Sequence, residues 1–220
     1  MRYASLVLVC GCGRLSFEPL ADAPERAADA PADAPTPPCL VEDFSTDTGM
    51  WQPVLGSYSL QPGAGPDGSP AYVGAIQPEN LATNAALRGI RTARVRLDFR
   101  IDTANGDFNV FWFKPFTSYA TATGYEALLV PANSDTLNDA LGVWTNGSVQ
   151  TFAQRPGTIV MSTWHHIDAE LRADGSMQLD LDGAPWLSSP PDATVSPPFD
   201  VILRLFYQGA IDNISVDCTR

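Results

Sequence analysis

His165 and His166 are the only imidazoles in 220 residues, and they are adjacent. Neighbouring side chains on a strand point to opposite faces, so this pair cannot ligate one metal ion. No Gly-x-Ser-x-Gly elbow accompanies them, which leaves a Ser-His-Asp nucleophilic site unsupported. Retaining glycoside hydrolysis needs two carboxyls about 5–5.5 Å apart. The nearest pair in sequence, Asp168 and Glu170, alternates with Ile167, Ala169 and Leu171, as the solvent-facing residues of a half-buried strand do. Asp180, Asp182 and Gly183 open like a calcium-binding loop, yet no Glu stands at its twelfth position, and they read as a hairpin turn. These residues carry no catalytic constellation. The expectation is a domain that binds without catalysing.

Aromatic side chains are the chemistry left to consider, because a flat ring can stack on a pyranose while polar neighbours fix its orientation. Phe111, Trp112 and Phe113 in succession put rings on both faces of one strand. Phe108, Val110 and Trp112 share one face, Phe111 and Phe113 the other. One set should be core, and the other should line the concave face of its sheet. Trp112 leads the candidate ligand-binding residues, with Tyr125 or Trp144 beside it and Asn109, Glu126 and Arg155 as hydrogen-bonding neighbours. The competing reading is that loops crossing the sheet bury both sets.

The elements that must position these residues are strands. Val95, Leu97, Phe99 and Ile101 alternate with Arg96, Asp98, Arg100 and Asp102, the pattern of a strand with one buried face. Asn146 and Gly147 separate two apolar segments as a two-residue hairpin turn, and Asp174 and Gly175 do the same between 164–171 and 177–181. Further strands are expected at 40–44, 58–60, 71–76, 108–113, 124–130, 201–206 and 211–217. No segment sustains helical periodicity. The fold class is therefore all-β, about twelve strands in a two-sheet antiparallel β-sandwich. The formal charge is −12, and residues 39–220 hold 20 acidic against 10 basic side chains, so phosphate backbones are repelled and nucleic acid is excluded as a partner.

The chain opens on Arg2 and a short apolar run into Cys10, Gly11 and Cys12. The run is too short for a bilayer, which needs about 20 apolar residues, and fits an export signal. Val9 to Cys12 resembles a bacterial lipobox, with Cys12 matching better than Cys10. The resemblance implies a signal peptide over 1–11, diacylglycerol on Cys12, and several acyl chains that hold the protein on the outer membrane or cell surface. Residues 12–38 then form a tether in which Ala-Asp-Ala-Pro recurs; it lacks the apolar surface to offset chain entropy. Its prolines favour an extended reach on the order of 75 Å at about 3.1 Å per residue. Cys39 precedes the first apolar segment of 39–220 and Cys218 follows the last. If those segments pair antiparallel, their ends meet and a disulfide is geometrically reasonable in an oxidising compartment.

Trp164 to Ile167, the Asp174-Gly175 turn and Leu179 to Gly183 together resemble the penultimate hairpin of concanavalin A-like jelly rolls, notably laminin G-like modules. Residues 206–216 resemble their closing strand, and Glu42 to Phe44 with Trp51 their opening one. That superfamily includes lectins, carbohydrate-binding modules, adhesion modules and glycoside hydrolases, so fold alone does not choose among them. The β-glucan-cleaving branch carries Glu-x-Asp-x-x-Glu on one strand, which is absent here. Related binding modules often hold a structural calcium near the termini, and Asp43, Asp47 and Asp212 are the candidate ligands for one Ca²⁺. No other cofactor is expected. The expected function is a monomeric surface lipoprotein displaying a non-catalytic carbohydrate-binding module, its partner a carbohydrate or another envelope component. The alternatives are an adhesive protein-interaction domain, and a divergent glycosidase whose acidic residues converge from separate strands.

Overall fold

A computed structural model describes residues 37–46, 50–134 and 137–220. The signal-peptide, Cys12 and tether expectations lie outside the described residues, as does Asp47. Residues from 37 onward form one compact unit, and the described residues among them make fifteen strands in two antiparallel sheets, with two single-turn 3₁₀ helices.

One sheet has seven strands. Its order runs β10 (Ser148–Pro156), β9 (Asn138–Thr145), β8 (Gly124–Leu129), β7 (Asp107–Phe113), β14 (Asp200–Phe206), β5 (Asn80–Asn84), β2 (Trp51–Leu55). The other has eight: β13 (Ala184–Ser188), β12 (Met177–Leu181), β11 (His165–Leu171), β6 (Thr92–Ile101), β15 (Gly209–Thr219), β4 (Ala71–Gly74) and β3 (Tyr58–Gln61), with β1 (Leu40–Glu42) paired beside β15. The β-sandwich of jelly-roll type expected from the sequence is the one observed.

Alternation decides which side chains meet between the sheets. Along β6, Ala93, Val95, Leu97, Phe99 and Ile101 turn inward and are buried, while Arg94, Arg96, Asp98 and Arg100 face outward. Across the core they pack with Phe108, Val110 and Trp112 of β7, Tyr125 of β8 and Val201, Leu203 and Leu205 of β14. The Asn146-Gly147 turn has both residues at positive φ, 48° and 80°, which matches the twist of the β9–β10 hairpin. Asp182 and Gly183 form a second such turn, at 51° and 79°, between β12 and β13, as the hairpin reading of those residues expected.

Twelve strands were expected and fifteen are present; the additional three are β2, β5 and β13. β2 contains Pro53 and β13 contains Pro185, and both are edge strands, where a missing N–H leaves no ladder bond unmade. β5 lies between β14 and β2 with every residue buried, so it has no polar alternation to reveal it.

The termini close as the cysteine positions implied. β1 pairs antiparallel with β15, Leu40 opposite Val216, and Cys39 and Cys218 form a disulfide with their Cα atoms 5.8 Å apart.

Candidate functional site

The outer face of the seven-stranded sheet gathers the chemistry. β7 is buried on both sides, so its outward residues Asp107, Asn109, Phe111 and Phe113 are as enclosed as its inward ones. Enclosure comes from residues 114–123, which fold back over the sheet: the Lys114 N–H donates to Thr123 O at 2.8 Å, and the Gly147 N–H donates to Ala122 O at 2.9 Å. Phe116 and Tyr119 of this segment pack onto Phe113, Phe111 and Trp144, with ring centroids 5.9 to 6.4 Å apart, and onto each other at 5.1 Å.

Beside those rings lies a charged network assembled from six segments. Arg204 of β14 reaches Glu79 through two bonds, Nε to Oε2 at 2.9 Å and Nη2 to Oε1 at 3.1 Å. Its Nη1 donates to Asp107 Oδ1 at 2.7 Å and Asn109 Oδ1 at 2.8 Å. Asn109 Nδ2 passes the chain on to Glu126 Oε1 at 2.6 Å, and Trp144 Nε1 donates to Glu126 Oε2 at 2.7 Å. Tyr119 closes the rim, its hydroxyl donating to Glu79 Oε2 at 3.0 Å.

Burial acts strongly on the two inner carboxyls. It pushes Glu126 up to about 7 in spite of its two N–H donors, and Asp107 up to about 6 in spite of the adjacent Arg204 guanidinium. Carboxyls from separate segments thus converge, the arrangement on which the glycosidase alternative depends. Arg204 engages Asp107, and Asn109 and Trp144 engage Glu126, so the cluster holds the sheet face together.

Next to the network, the same face opens into a cleft of about 270 Å³, walled by Gln52, Thr83, Arg88, Phe116, Asp200 and Ile202 among others. Phe116 presents a half-buried ring there, Gln52 and Arg88 are exposed, and Asp200 Oδ1 accepts the Gly89 N–H at 3.0 Å. An aromatic wall with an amide, a guanidinium and a carboxylate around it has the composition of a small polar-ligand site.

Of the sequence candidates, Asn109, Glu126 and Trp144 do meet on this outer face. Trp112 and Tyr125 do not, and the expectation that they line the open face is corrected. Both are about 1% exposed and belong to the core between the sheets, because their register places them opposite one another and beside Val201 and Val143, on the inward side. The Tyr125 hydroxyl is spent on Asp192 and Val195 backbone carbonyls, at 2.9 and 3.2 Å. Arg155 is corrected too: it lies on the exposed β10 with its guanidinium 3.3 Å from the Trp186 ring centroid. Arg204, Glu79, Asp107 and Phe116 were missed. Arg204 is a single polar residue within Val201 to Phe206, an interruption of an apolar strand that could have marked it.

The outer face of the other sheet is a ladder of ion pairs. Asp168 takes Arg94 in two bonds of 2.8 and 2.6 Å and Arg96 at 3.4 Å, while Glu170 takes Arg172. The two histidines occupy opposite faces, as alternation required: His165 Nδ1 meets Asp182 at 2.8 Å with its Nε2 accepting the Val160 N–H, and His166 Nδ1 meets Asp98 at 2.8 Å.

Asp212 is buried and accepts Ser69 Oγ at 2.8 Å and the Asn213 N–H at 2.8 Å, whereas Asp43 is exposed and accepts the Ser45 N–H at 2.9 Å. Among the described residues, no three His, Cys, Asp or Glu side chains gather as a metal site.

No protein-family model matches the chain, and no curated protein matches it. Solved structures do. A carbohydrate-binding module, CBM66, from Bacillus subtilis superposes with a TM-score of 0.58 at 16% identity, over 76% of this chain and 95% of that one. The carbohydrate recognition domain of Emp47p gives 0.59 at 13% identity, over 82% and 95%. A Bacillus subtilis protein of unknown function with a galectin-like fold gives 0.61 at 10% identity, over 84% and 98%. At these identities the likeness is one of fold.

Proposed function

We propose that residues 39–220 are a non-catalytic carbohydrate-binding module, and that the protein displays it on the cell surface from a lipid anchor at Cys12. The observation that carries the reading is the cleft beside Phe116: a partly exposed ring bordered by Gln52, Arg88 and Asp200, on a sheet face stiffened by the Arg204 network. A sugar ring would lie against Phe116 while its hydroxyls exchange hydrogen bonds with the amide and carboxylate. The fold agrees with this reading, since solved structures that share it are described as carbohydrate binding or recognition domains. The anchor and tether rest on the lipobox resemblance of Val9 to Cys12.

A glycan array probed with the full chain tests the module. Retention on a defined set of glycans, weakened about tenfold by Phe116→Ala, is the expected result; one lost aromatic contact is worth about 1.4 kcal/mol. An array with no binding at all would reject it in favour of the adhesive protein-interaction alternative. The anchor is tested by radiolabelled palmitate incorporation, expected in the wild type and lost in Cys12→Ser.

A second reading has one observation of its own, the convergence of Glu79, Asp107 and Glu126, with Glu126 near the range of a general acid. Reducing-end release from any polysaccharide by the wild type, abolished in Glu126→Gln, would establish a hydrolase. A structural Ca²⁺ at Asp43, Asp47 and Asp212 is a separate proposal: calorimetric uptake together with a rise in Tm supports it, and absence of both ends it.

A further inference from the structure

The ten basic side chains of residues 39–220 divide into two groups. Arg94, Arg96, Arg100, Arg172 and Arg204 each hold a carboxylate at 3.4 Å or less. Arg88, Arg91, Lys114 and Arg220 make no ion pair with an acidic side chain among the described residues, and Arg155 rests on Trp186. Acidic residues outnumber basic ones two to one in this domain, 20 to 10.

The four cations without an acidic partner share one end of the sandwich. Ile90 and Phe199 bridge there, and the Arg91 N–H donates to Thr219 O at 2.8 Å. Arg220 Nη2 donates to Ala86 O at 2.9 Å, while Lys114 Nζ donates to Ser196 O and lies 5.4 Å from the Phe199 ring centroid. Arg88 forms part of the cleft wall beside Phe116. Arg91 borders a second hollow of about 160 Å³, lined also by Phe199, Arg172, Asp174 and Asp192. Cations therefore run from the cleft across the end of the molecule.

The carboxylates at this end accept internal hydrogen bonds and form no ion pair with these four cations. Asp200 accepts the Gly89 N–H, Asp192 accepts the Thr194 N–H and hydroxyl, and Asp174 accepts from Ser176.

We propose that the ligand of this cleft is an anionic polysaccharide. One sugar ring lies against Phe116, its acid group meets Arg88, and acid groups further along the chain meet Lys114 and Arg91. The proposal rests on the carbohydrate-binding reading and names the ligand class of that site. A guanidinium without a carboxylate partner binds a carboxylate or sulfate through two parallel N–H bonds, with no internal ion pair to break first.

The test uses the full chain and two matched pairs of polymers, polygalacturonate with its methyl ester and dextran sulfate with dextran, followed by affinity electrophoresis and calorimetry. An acidic member should bind about tenfold more tightly than its neutral counterpart, and less so at high salt. Arg88→Gln should weaken that binding about tenfold, and Arg155→Gln, which removes the same charge elsewhere, should leave it unchanged. Equal binding of acidic and neutral members, or equal effects of the two substitutions, overturns the anionic-ligand proposal and leaves the carbohydrate reading standing. Failure of every polymer here and every glycan on the array removes both.

Discussion

Glu126 and Asp107 show how a single group can set the response of the whole face to pH. Their folded values, about 7 and about 6, lie above the ordinary values of 4.5 and 3.8 because burial penalises the charged form. Between the ordinary and the raised values the folded state binds more protons than the unfolded chain, so stability is highest below that window and falls as pH rises through it. Urea midpoints should therefore decline from pH 4.5 to pH 8, and Glu126→Gln should flatten the decline; an unchanged slope in that variant would contradict the assignment. Arg204 belongs to the same residue-scale argument. Replacing it with Met leaves Glu79 and Asp107 without their shared cation, and the expected loss is about 3–5 kcal/mol at neutral pH, read from the same denaturation curves. Trp112→Ala should cost a similar amount, about 3–5 kcal/mol, because it empties a core position, while leaving the glycan profile unaltered. A changed profile would return Trp112 to the binding surface.

At the scale of elements, the segment 114–123 decides what the sheet face presents. It lies against the β9–β10 turn, and a Cβ added at Gly147 would stand 2.5 Å from Ala120 O at a φ of +80°. Gly147→Ala should push that segment outward and destabilise the domain by about 1–2 kcal/mol, with an accompanying change in Trp144 fluorescence. Strand identity was legible wherever one face met solvent, as in β6 and β11, because alternation records that asymmetry directly. It was lost in β5, enclosed on both faces, and in β2 and β13, where proline conceals edge strands. The same rule applies to the site. Asn109, Glu126 and Trp144 share the outer face, where they bond one another, whereas the sequence leaves the side of Trp112 open, since an aromatic run on a strand buried on both sides has no polar partner to indicate which side is outward.

For the molecule as a whole, the Cys39–Cys218 bond joins residues 179 apart in sequence and clamps β1 against β15. Loop-closure entropy makes its expected contribution about 3–5 kcal/mol. Cys39→Ser with Cys218→Ser should lower the unfolding free energy read from denaturation curves by that amount while leaving glycan specificity intact, because the cleft is built from other strands. Seven carboxylate–arginine pairs engage Arg94, Arg96, Arg100, Arg172 and Arg204, whereas Arg88, Arg91, Lys114 and Arg220 at one end form none among the described residues.

Local pattern determined the class of this protein: period-two alternation, turn dipeptides with positive φ, and cysteines at the two ends of the domain together specify a closed all-β sandwich. Those signals are local, or depend only on which segments lie at the ends, so they survive in one dimension. Tertiary structure alone decided which side of β7 faces the core and which carboxyls gather on Arg204. It also placed the segment that covers the sheet and the cations left at one end without acidic partners. Each of these is a meeting of residues about 20 to 130 positions apart, set by strand order and register, which no local spacing records.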